Sequence, residues 1–319
     1  MPDTFLTQIP GMTEAAPVPV RSADELGESV FTGEFVSNSQ PCVIKGAVRH
    51  WAATRKWGDP DYLKGVSGHR KVLYFPHENH LTFRRMMAGK LDMSFAEAID
   101  RLHSGNTAVA SLGLQADFTE LRPDIGRFAF LTRAEASFLY PPVRYFFYRN
   151  AGSAWHFHPL DETLMCQIVG DKKIGLLSAR TPFQKTIQEI FFKEEYYDNA
   201  SAVSALANSD LRWFSATVEA GDALYIPPLW WHGVTTMGNG FGATVAVPWR
   251  SPLPVFADII RKMAAGDIDL MGSASSSQMQ SLMEAARTTG VERELAIAME
   301  RASLGSGPQK KDGKDAVYY

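Results

Sequence analysis

Nine short apolar or alternating segments follow one another between residues 107 and 249, and this array restricts the fold more than any other feature. Most of the segments are bounded by glycine, proline, aspartate or asparagine, which favour turns. Many short strands at such spacing are typical of an all-β sandwich or barrel. The segments are TAVASLGL, VRYFFYR, AWHFH, TLMCQIVG, KKIGLLSA, FSATVEAG, DALYIP, WWHGVTTM and GATVAVPW.

Helical patterns flank the array on both sides. Before it, Ser22 is predicted to cap a short helix in SADELGESVF, and Ser94 a second one in SFAEAIDRLHSGN, which stops at Gly105. PCVIKGAV predicts a buried strand, and GDPDYLKGVSGHRKVLYF predicts a helix followed by a strand. After Trp249, three further helices are predicted from SPLPVFADIIRKMAAGD, SSSQMQSLMEAART and VERELAIAMERAS.

These patterns give a domain plan. We expect a flexible arm over residues 1–20, a β domain over 21–250, a helical region over 251–304 and a disordered tail over 305–319. The polar and aromatic segment 181–210 interrupts the array, and its sequence favours no single structure. The apolar faces of the C-terminal helices are explained equally well by a homodimer interface and by packing on the barrel.

Charge and composition restrict the partners and the compartment. The net charge of −3 over 319 residues gives no general attraction to nucleic acid or to an anionic membrane. The first residues lack the basic and apolar regions of a signal peptide, and no apolar run is long enough for a membrane span. Cys42 and Cys166 lie in apolar stretches, which predicts buried thiols rather than a disulfide. We therefore expect a cytoplasmic protein.

Two histidines one residue apart are the first candidate metal ligands. In a strand, His156 and His158 point to one face and Phe157 to the other. Two imidazoles on one face are well placed to bind iron, zinc, copper or nickel. A pair of hydrogen-bonded histidines without a metal has the same spacing, so the pair alone does not decide between the two interpretations.

A third histidine follows in GDALYIPPLWWHG, which spans residues 221 to 233. In a barrel, this late strand is expected beside the strand that carries the first pair. His232 would then complete a face of three ligands and leave open coordination positions for oxygen and substrate. The alternative is a core histidine behind two tryptophans.

Several of these segments together resemble the cupin-like JmjC-domain oxygenases of the small hydroxylase type, which use Fe(II) and 2-oxoglutarate. QPCVIKGAVRHWAATRKWGDPDYLKGVSGHRKV is similar to the N-terminal signature, CQIVGDKKIGLLS to the central hairpin and GDALYIPPLWWHGV to the distal-histidine segment. The likeness covers residues from about 40 to 250. It implies a mainly β, double-stranded β-helix (cupin or jelly-roll) barrel with helical additions at both ends. It also implies hydroxylation of a protein, peptide or small-molecule substrate.

The resemblance assigns residues to the metal and to the cosubstrate. The two metal histidines of the family fall on His156 and His232. Lys172 stands where the family places the lysine that pairs with the 2-oxoglutarate carboxylate, and a cation there suits a dianion. Ser153 stands where the family often has a threonine that helps to hold that carboxylate. Alternatively, Lys172 and Lys173 are a solvated hairpin end.

One position departs from the family pattern, which is His-x-Asp. Here His158 replaces the carboxylate, so either three histidines hold the metal or Asp161 or Glu162 supplies the charge. The spacing His-x-His-x3-Glu also resembles metal-binding cupins outside the JmjC group, in which Glu162 would be a further ligand and 2-oxoglutarate would not be needed. A third interpretation is a binding protein that kept the barrel and lost turnover.

The remaining candidates are weaker. Tyr145 and Tyr148 lie on the aromatic segment VRYFFYRN, where packing in the core is the more common role. The sequence assigns no catalytic residue beyond the metal ligands.

Overall fold

The computed structural model describes residues 12–76, 90–105, 108–111, 118–178, 211–268 and 276–305. Three features of the sequence therefore lie outside the described residues. They are residues 1–11, the segment 181–210 and residues 306–319 of the predicted tail.

Two sheets account for the strands of the described residues. The smaller sheet has the strand order β1-β11-β10-β13-β8, and the larger has the order β2-β3-β12-β9-β14-β7-β6-β4-β5. Each of the nine segments predicted from the sequence overlaps one of these strands. The bounds are β1 Ala16–Pro17, β2 Val20–Ser22, β3 Cys42–Lys45, β4 Lys71–Pro76, β5 Leu91–Ser94, β6 Ala108–Ser111, β7 Arg144–Arg149, β8 Ser153–His156, β9 Asp161–Val169, β10 Asp171–Ser178, β11 Phe214–Val218, β12 Ala223–Ile226, β13 Trp230–Met237 and β14 Phe241–Arg250.

Both sheets contribute to one apolar interior. One buried cluster contains side chains of both sheets. The smaller sheet contributes Ile174, Leu176 and Val234, and the larger sheet contributes Met165 and Leu224. Two sheets that face each other across such a cluster form a jelly-roll barrel. The predicted mainly β barrel with helical additions is thus confirmed.

Helices cover the outer faces of both sheets. The N-terminal ones join the core of the larger sheet, where Phe31, Leu63 and Phe95 are buried. The C-terminal ones pack on the smaller sheet, where Phe256 lies in one cluster with Trp231. None of the described helices is long and apolar enough to cross a bilayer. The helices are α1 Glu28–Val30, which continues as the π-helix Phe31–Val36, α2 Ala53–Lys56, α3 Pro60–Ser67, α4 Phe95–His103, α5 Leu253–Ala265, α6 Ser276–Thr289 and α7 Glu292–Gly305.

Capping serine and glycine residues in the sequence correctly predicted the ends of two helices. The Ser94 hydroxyl accepts a hydrogen bond from the Glu97 backbone N–H at 3.2 Å, so it caps α4 as predicted. Gly105 follows that helix with a φ of 105°, and Gly266 ends α5 with a φ of 85°. Both glycines occupy the left-handed region that a side chain disfavours. Cys42 and Cys166 are buried free thiols, as predicted.

Two predictions near the N-terminus are wrong. Ser22 does not cap a helix, because it ends β2, which pairs in parallel with β3; the helix starts at Glu28. The expected flexible arm is also wrong for residues 12–20, since β1 pairs with β11 and Met12 and Val18 are buried. Pairing with distant strands holds this segment on the barrel.

Candidate metal centre

Two neighbouring strands bring His156 and His232 together. The two residues are paired across β8 and β13, and their ring centroids lie 4.1 Å apart. The next pair joins Val234 to Ser153, so the register shifts at this point. Such an irregularity changes the direction of side chains beside a site. His158 lies just beyond the end of β8, with its ring 5.5 Å from that of His156 and 5.0 Å from that of His232.

The three rings can serve one metal ion. One nitrogen of each histidine lies within 4.8 Å of the others, and among the described residues no other group of three His, Cys, Asp or Glu side chains is so arranged. Three imidazoles that leave positions open are a typical donor set for a catalytic metal with one or two exchangeable ligands. The structure therefore brings together the histidines that the sequence singled out, and the donor set fits a transition metal.

Hydrogen bonds orient two of the rings. His232 Nδ1 lies 2.9 Å from the Trp230 carbonyl oxygen. A carbonyl only accepts, so Nδ1 carries the proton and Nε2 is left as the unprotonated nitrogen. His158 Nδ1 lies 3.0 Å from the Thr163 hydroxyl, which leaves its Nε2 as the candidate ligand atom. Partners of this kind fix the tautomer and the ring direction of metal-binding histidines.

Burial favours the neutral state that metal binding requires. It lowers the pKa of both His158 and His232 well below the ordinary histidine value, with smaller contributions from the other histidines and from the charge of Arg144. Only the neutral ring has a free lone pair for a metal. These two histidines can therefore bind a cation without first having to release protons near neutral pH.

The turn before His232 is held in a strained backbone conformation. Leu229 is buried and has a φ of 62°, which is uncommon for a residue with a side chain. Its N–H donates to the His158 carbonyl oxygen at 2.8 Å. This bond ties the β12–β13 turn to the segment that carries the second histidine. Strain of this kind is typical of functional sites.

Neither candidate carboxylate joins the histidines. Glu162 lies on the opposite face of β9 from Thr163, where the Tyr225 hydroxyl donates to its Oε2 at 2.6 Å. Asp161 accepts from the Phe138 N–H at 2.9 Å, and burial raises the pKa of Asp161 to about 7. Both lie outside the histidine group. Among the described residues, the structure thus favours the alternative in which three histidines hold the metal without Glu162.

Glu162→Gln tests this placement. We expect the variant to keep its metal content and to bind the metal within about twofold of the wild-type affinity, because the glutamine oxygen can still accept from Tyr225. The free energy of unfolding should change by about 2 kcal/mol or less, as for one altered hydrogen bond. Elemental analysis and thermal denaturation measure the two quantities. A loss of metal with the fold intact would contradict the placement.

A buried cation lies on the same inner surface. Lys172 shares one face of β10 with Leu176, which pairs with His232. Its ammonium group lies 4.1 Å from the centroid of the Tyr148 ring, and no ion pair joins it to another described residue. Burial lowers the pKa of Lys172 to about 7. A cation held this way favours an anionic ligand, since a buried charge without a counter-ion is costly.

Two hydroxyls accompany this cation. Thr236 pairs with Lys172 across β13 and β10, and Ser153 pairs with Val234 on the next strand. Neither the Thr236 Oγ1 nor the Ser153 Oγ has a hydrogen-bond partner among the described residues. Buried hydroxyls without partners indicate a ligand or water that completes them. Lys172, Ser153 and Thr236 therefore fit a carboxylate.

The sequence assigned no role to Thr236 and favoured packing in the core for Tyr148. Thr236 lies four residues after His232, so the period of two along β13 could have placed both on one face. Tyr148 is held by Gln167, whose Nε2 donates to its hydroxyl at 2.5 Å, and Gln167 in turn accepts from Thr244 at 2.8 Å. Its contact with Lys172 joins two sheets, which no local pattern predicts.

The sequence also gave no indication that Arg144 lies near the histidines. It is buried on the face of β7 that carries Tyr148, and its guanidinium carbon lies 4.7 Å from the centroid of the Tyr140 ring and 5.1 Å from that of Phe146. The Tyr140 ring is in turn 5.6 Å from that of His158. A second cation thus lies beside the histidines.

Comparisons with known proteins agree with this geometry. The family described as "Cupin-like domain" matches residues 28–253. Lysine-specific demethylase JMJ30 of Arabidopsis thaliana is 25% identical over 223 residues, which cover 65% of this chain and 49% of that protein. Jumonji C domain-containing protein 5 of Drosophila melanogaster is 22% identical over 249 residues, which cover 73% of this chain and 60% of that protein.

A third relative is similar over a comparable part of its length. JmjC domain-containing protein D of Dictyostelium discoideum is 26% identical over 245 residues, which cover 66% of this chain and 52% of that protein. The chain spans about half the length of these curated relatives. The similarity therefore concerns the region that contains the barrel and its histidines.

Proposed function

Because the chain belongs to the cupin-like, JmjC-type family, we propose that it is an Fe(II)- and 2-oxoglutarate-dependent oxygenase. It hydroxylates a protein, peptide or small-molecule substrate. The observation that carries the proposal is the combination of three converging histidines with buried Lys172 on one inner surface of the barrel. The name of the Arabidopsis relative, a lysine-specific demethylase, supports a protein side chain as the substrate class.

The histidines hold the metal in this proposal. His156, His158 and His232 each supply one neutral nitrogen. When bound, iron would supply the activation of oxygen, and 2-oxoglutarate would supply two electrons on its conversion to succinate and CO2. Thr163 and the Trp230 carbonyl keep two of the rings in place and thereby keep the remaining positions open to the cosubstrate and to oxygen.

Lys172 and its neighbours bind the cosubstrate. The ammonium group would pair with a carboxylate of 2-oxoglutarate, and the hydroxyls of Ser153 and Thr236, which have no partner among the described residues, would donate to it. The apolar interior around Ile174 and Val234 excludes water from this contact, which strengthens the ion pair. Lys172 must carry its proton for this contact, so binding takes up a proton wherever the free side chain is neutral.

The proposal is tested by loading the purified chain with Fe(II) under anaerobic conditions and adding 2-oxoglutarate and then oxygen. We expect about one iron ion per chain, cosubstrate binding that depends on the metal, and succinate formation that rises with a suitable substrate. Calorimetry measures the binding, and chromatography measures succinate. A protein that binds iron but neither binds 2-oxoglutarate nor makes succinate would contradict the proposal.

One observation favours a second candidate. Three neutral histidines without a carboxylate are also suitable for a metal-binding cupin enzyme that does not use 2-oxoglutarate. Such an enzyme would keep its activity after Lys172→Met. A purified chain that takes up no metal would instead indicate a binding protein with the same barrel.

A further inference from the structure

The ring of Tyr148 contacts Lys172 across the interior of the barrel. Tyr148 lies on β7 of the larger sheet and Lys172 on β10 of the smaller one, and the ammonium nitrogen is 4.1 Å from the ring centroid. The negative face of an aromatic ring attracts a cation at this distance, and the attraction is stronger because both side chains are buried. The ring thereby holds the end of a flexible four-carbon side chain.

Hydrogen bonds fix the position of the Tyr148 ring. Gln167 Nε2 donates to the Tyr148 hydroxyl at 2.5 Å and also to the Val169 carbonyl oxygen at 2.7 Å. Gln167 Oε1 accepts from the Thr244 hydroxyl at 2.8 Å. Gln167 lies on β9 and Thr244 on β14, where the two residues are paired. Two strands besides β7 therefore orient the ring.

The space for the ring depends on a glycine of the neighbouring strand. Gly242 is paired with Tyr148 across β14 and β7. A methyl group on Gly242 would collide with the ring carbons and the hydroxyl of Tyr148. A glycine inside a strand often marks such a close approach. The ring thus lies directly against the backbone of β14, and a side chain at this position would displace it.

The ring holds the cation without neutralising it. Burial raises the pKa of the Tyr148 hydroxyl above its ordinary value, so the side chain stays a neutral phenol. A carboxylate in its place would form an ion pair with Lys172 and compete with an incoming anion. The ring lies on one side of the ammonium group, which has three N–H donors and can present the others to a carboxylate.

On these grounds we propose that Tyr148 is a positioning residue whose ring holds the Lys172 ammonium group in place for a carboxylate of 2-oxoglutarate. The proposal rests on the proposed function, because Tyr148 acts on the cosubstrate through Lys172. An ammonium group that is held before the ligand arrives loses less conformational entropy on binding, which raises the affinity. This role belongs to the ring, and the hydroxyl serves to orient it.

The test compares two ligands on the full chain loaded anaerobically with Fe(II). The first is 2-oxoglutarate, and the second is 2-oxovalerate, which has the same five carbons and the 2-oxo acid group but no second carboxylate. In Tyr148→Leu we expect the affinity for 2-oxoglutarate to fall about tenfold, as for the loss of a buried cation–π contact, and the affinity for 2-oxovalerate to change by less than about twofold. Calorimetry gives both affinities.

Tyr148→Phe separates the ring from the hydroxyl. This variant keeps the ring face toward Lys172, and Gln167 can still donate to the Val169 carbonyl oxygen. We therefore expect it to bind 2-oxoglutarate within about twofold of the wild-type affinity. A loss as large as in Tyr148→Leu would mean that the hydroxyl acts on the ligand, and it would overturn the inference.

Tyr145→Leu is the matched control. Tyr145 is buried on the other face of β7, where its ring lies 5.3 Å from that of Phe118. The variant loses a buried ring of the same strand and should keep the wild-type affinity for both ligands. Gly242→Ala replaces Tyr148→Leu if that variant does not fold, because the added methyl group displaces the ring without removing it, and the same selective loss is expected.

A double variant shows whether Tyr148 acts through Lys172. Residues that act as a unit are not additive, so Tyr148→Leu added to Lys172→Met should lower the affinity for 2-oxoglutarate by less than a further twofold. A further tenfold loss would overturn the inference, as would an unchanged affinity in Tyr148→Leu or an equal loss for the two ligands. A wild-type protein that binds no iron or no 2-oxoglutarate would instead refute the proposed function itself, so the two failures are distinguished.

Discussion

Replacing His232 by alanine is expected to reduce the iron content of the purified protein from about one ion per chain to near zero. The reason is the composition of the ligand set, in which three neutral nitrogens meet and no carboxylate lies among them. Two neutral nitrogens bind a divalent metal too weakly to survive purification. We expect the metal affinity to fall by more than about 100-fold, which exceeds the usual effect of altering a residue behind a ligand. Succinate formation should be lost with the metal.

The measurement needs a matched histidine and a check on folding. His69→Ala serves as the control, because the His69 side chain is 69% exposed and lies outside the cluster. Elemental analysis after anaerobic desalting gives the metal content, and circular dichroism reports the fold. His232→Gln keeps most of the buried volume if the alanine variant unfolds. A folded His232→Ala protein that retains about one ion per chain would show that the metal is bound elsewhere.

The strand pattern explains why the histidines could be predicted and the carboxylates could not. The period of two predicted that His156 and His158 point to one face, and the two rings do lie 5.5 Å apart although His158 is outside the strand. β8 ends at His156 and β9 starts only at Asp161. Residues 157–160 break the alternation, and the sequence could not tell whether Asp161 or Glu162 faces the metal.

Contacts between the two sheets could not be predicted from the sequence either. Lys172 was predicted from a resemblance, but its position over Tyr148 joins β10 of the smaller sheet to β7 of the larger. The pairing of β1 with β11 joins residues about 200 positions apart. The local sequence of residues 1–20 does not show this pairing, so it predicted a flexible arm. Such pairings depend on the whole fold, whereas helix caps such as Ser94 depend on neighbours in the chain.

Lys172→Met is expected to lower the affinity for 2-oxoglutarate by more than about 100-fold while the metal content stays unchanged. The variant removes the cation that has no ion pair with another described residue, and a buried charge-assisted contact contributes about 3 kcal/mol. Without ligand, the variant should be at least as stable as the wild type, because methionine fills a similar volume without the cost of a buried charge. Calorimetry and thermal denaturation measure the two effects, and Lys173→Met on the opposite face of β10 is the matched control.

The pH dependence of binding separates this role from simple packing. Burial lowers the pKa of Lys172 to about 7 in the free protein, so above that pH the side chain is mostly neutral. The bound carboxylate favours the charged form and raises the pKa, so binding takes up a proton. The affinity for 2-oxoglutarate should therefore fall as the pH rises from about 7 to about 9, by up to about tenfold per unit. Lys172→Met should remove this slope and Lys173→Met should keep it; the same slope in both variants would mean that Lys172 does not bind the carboxylate.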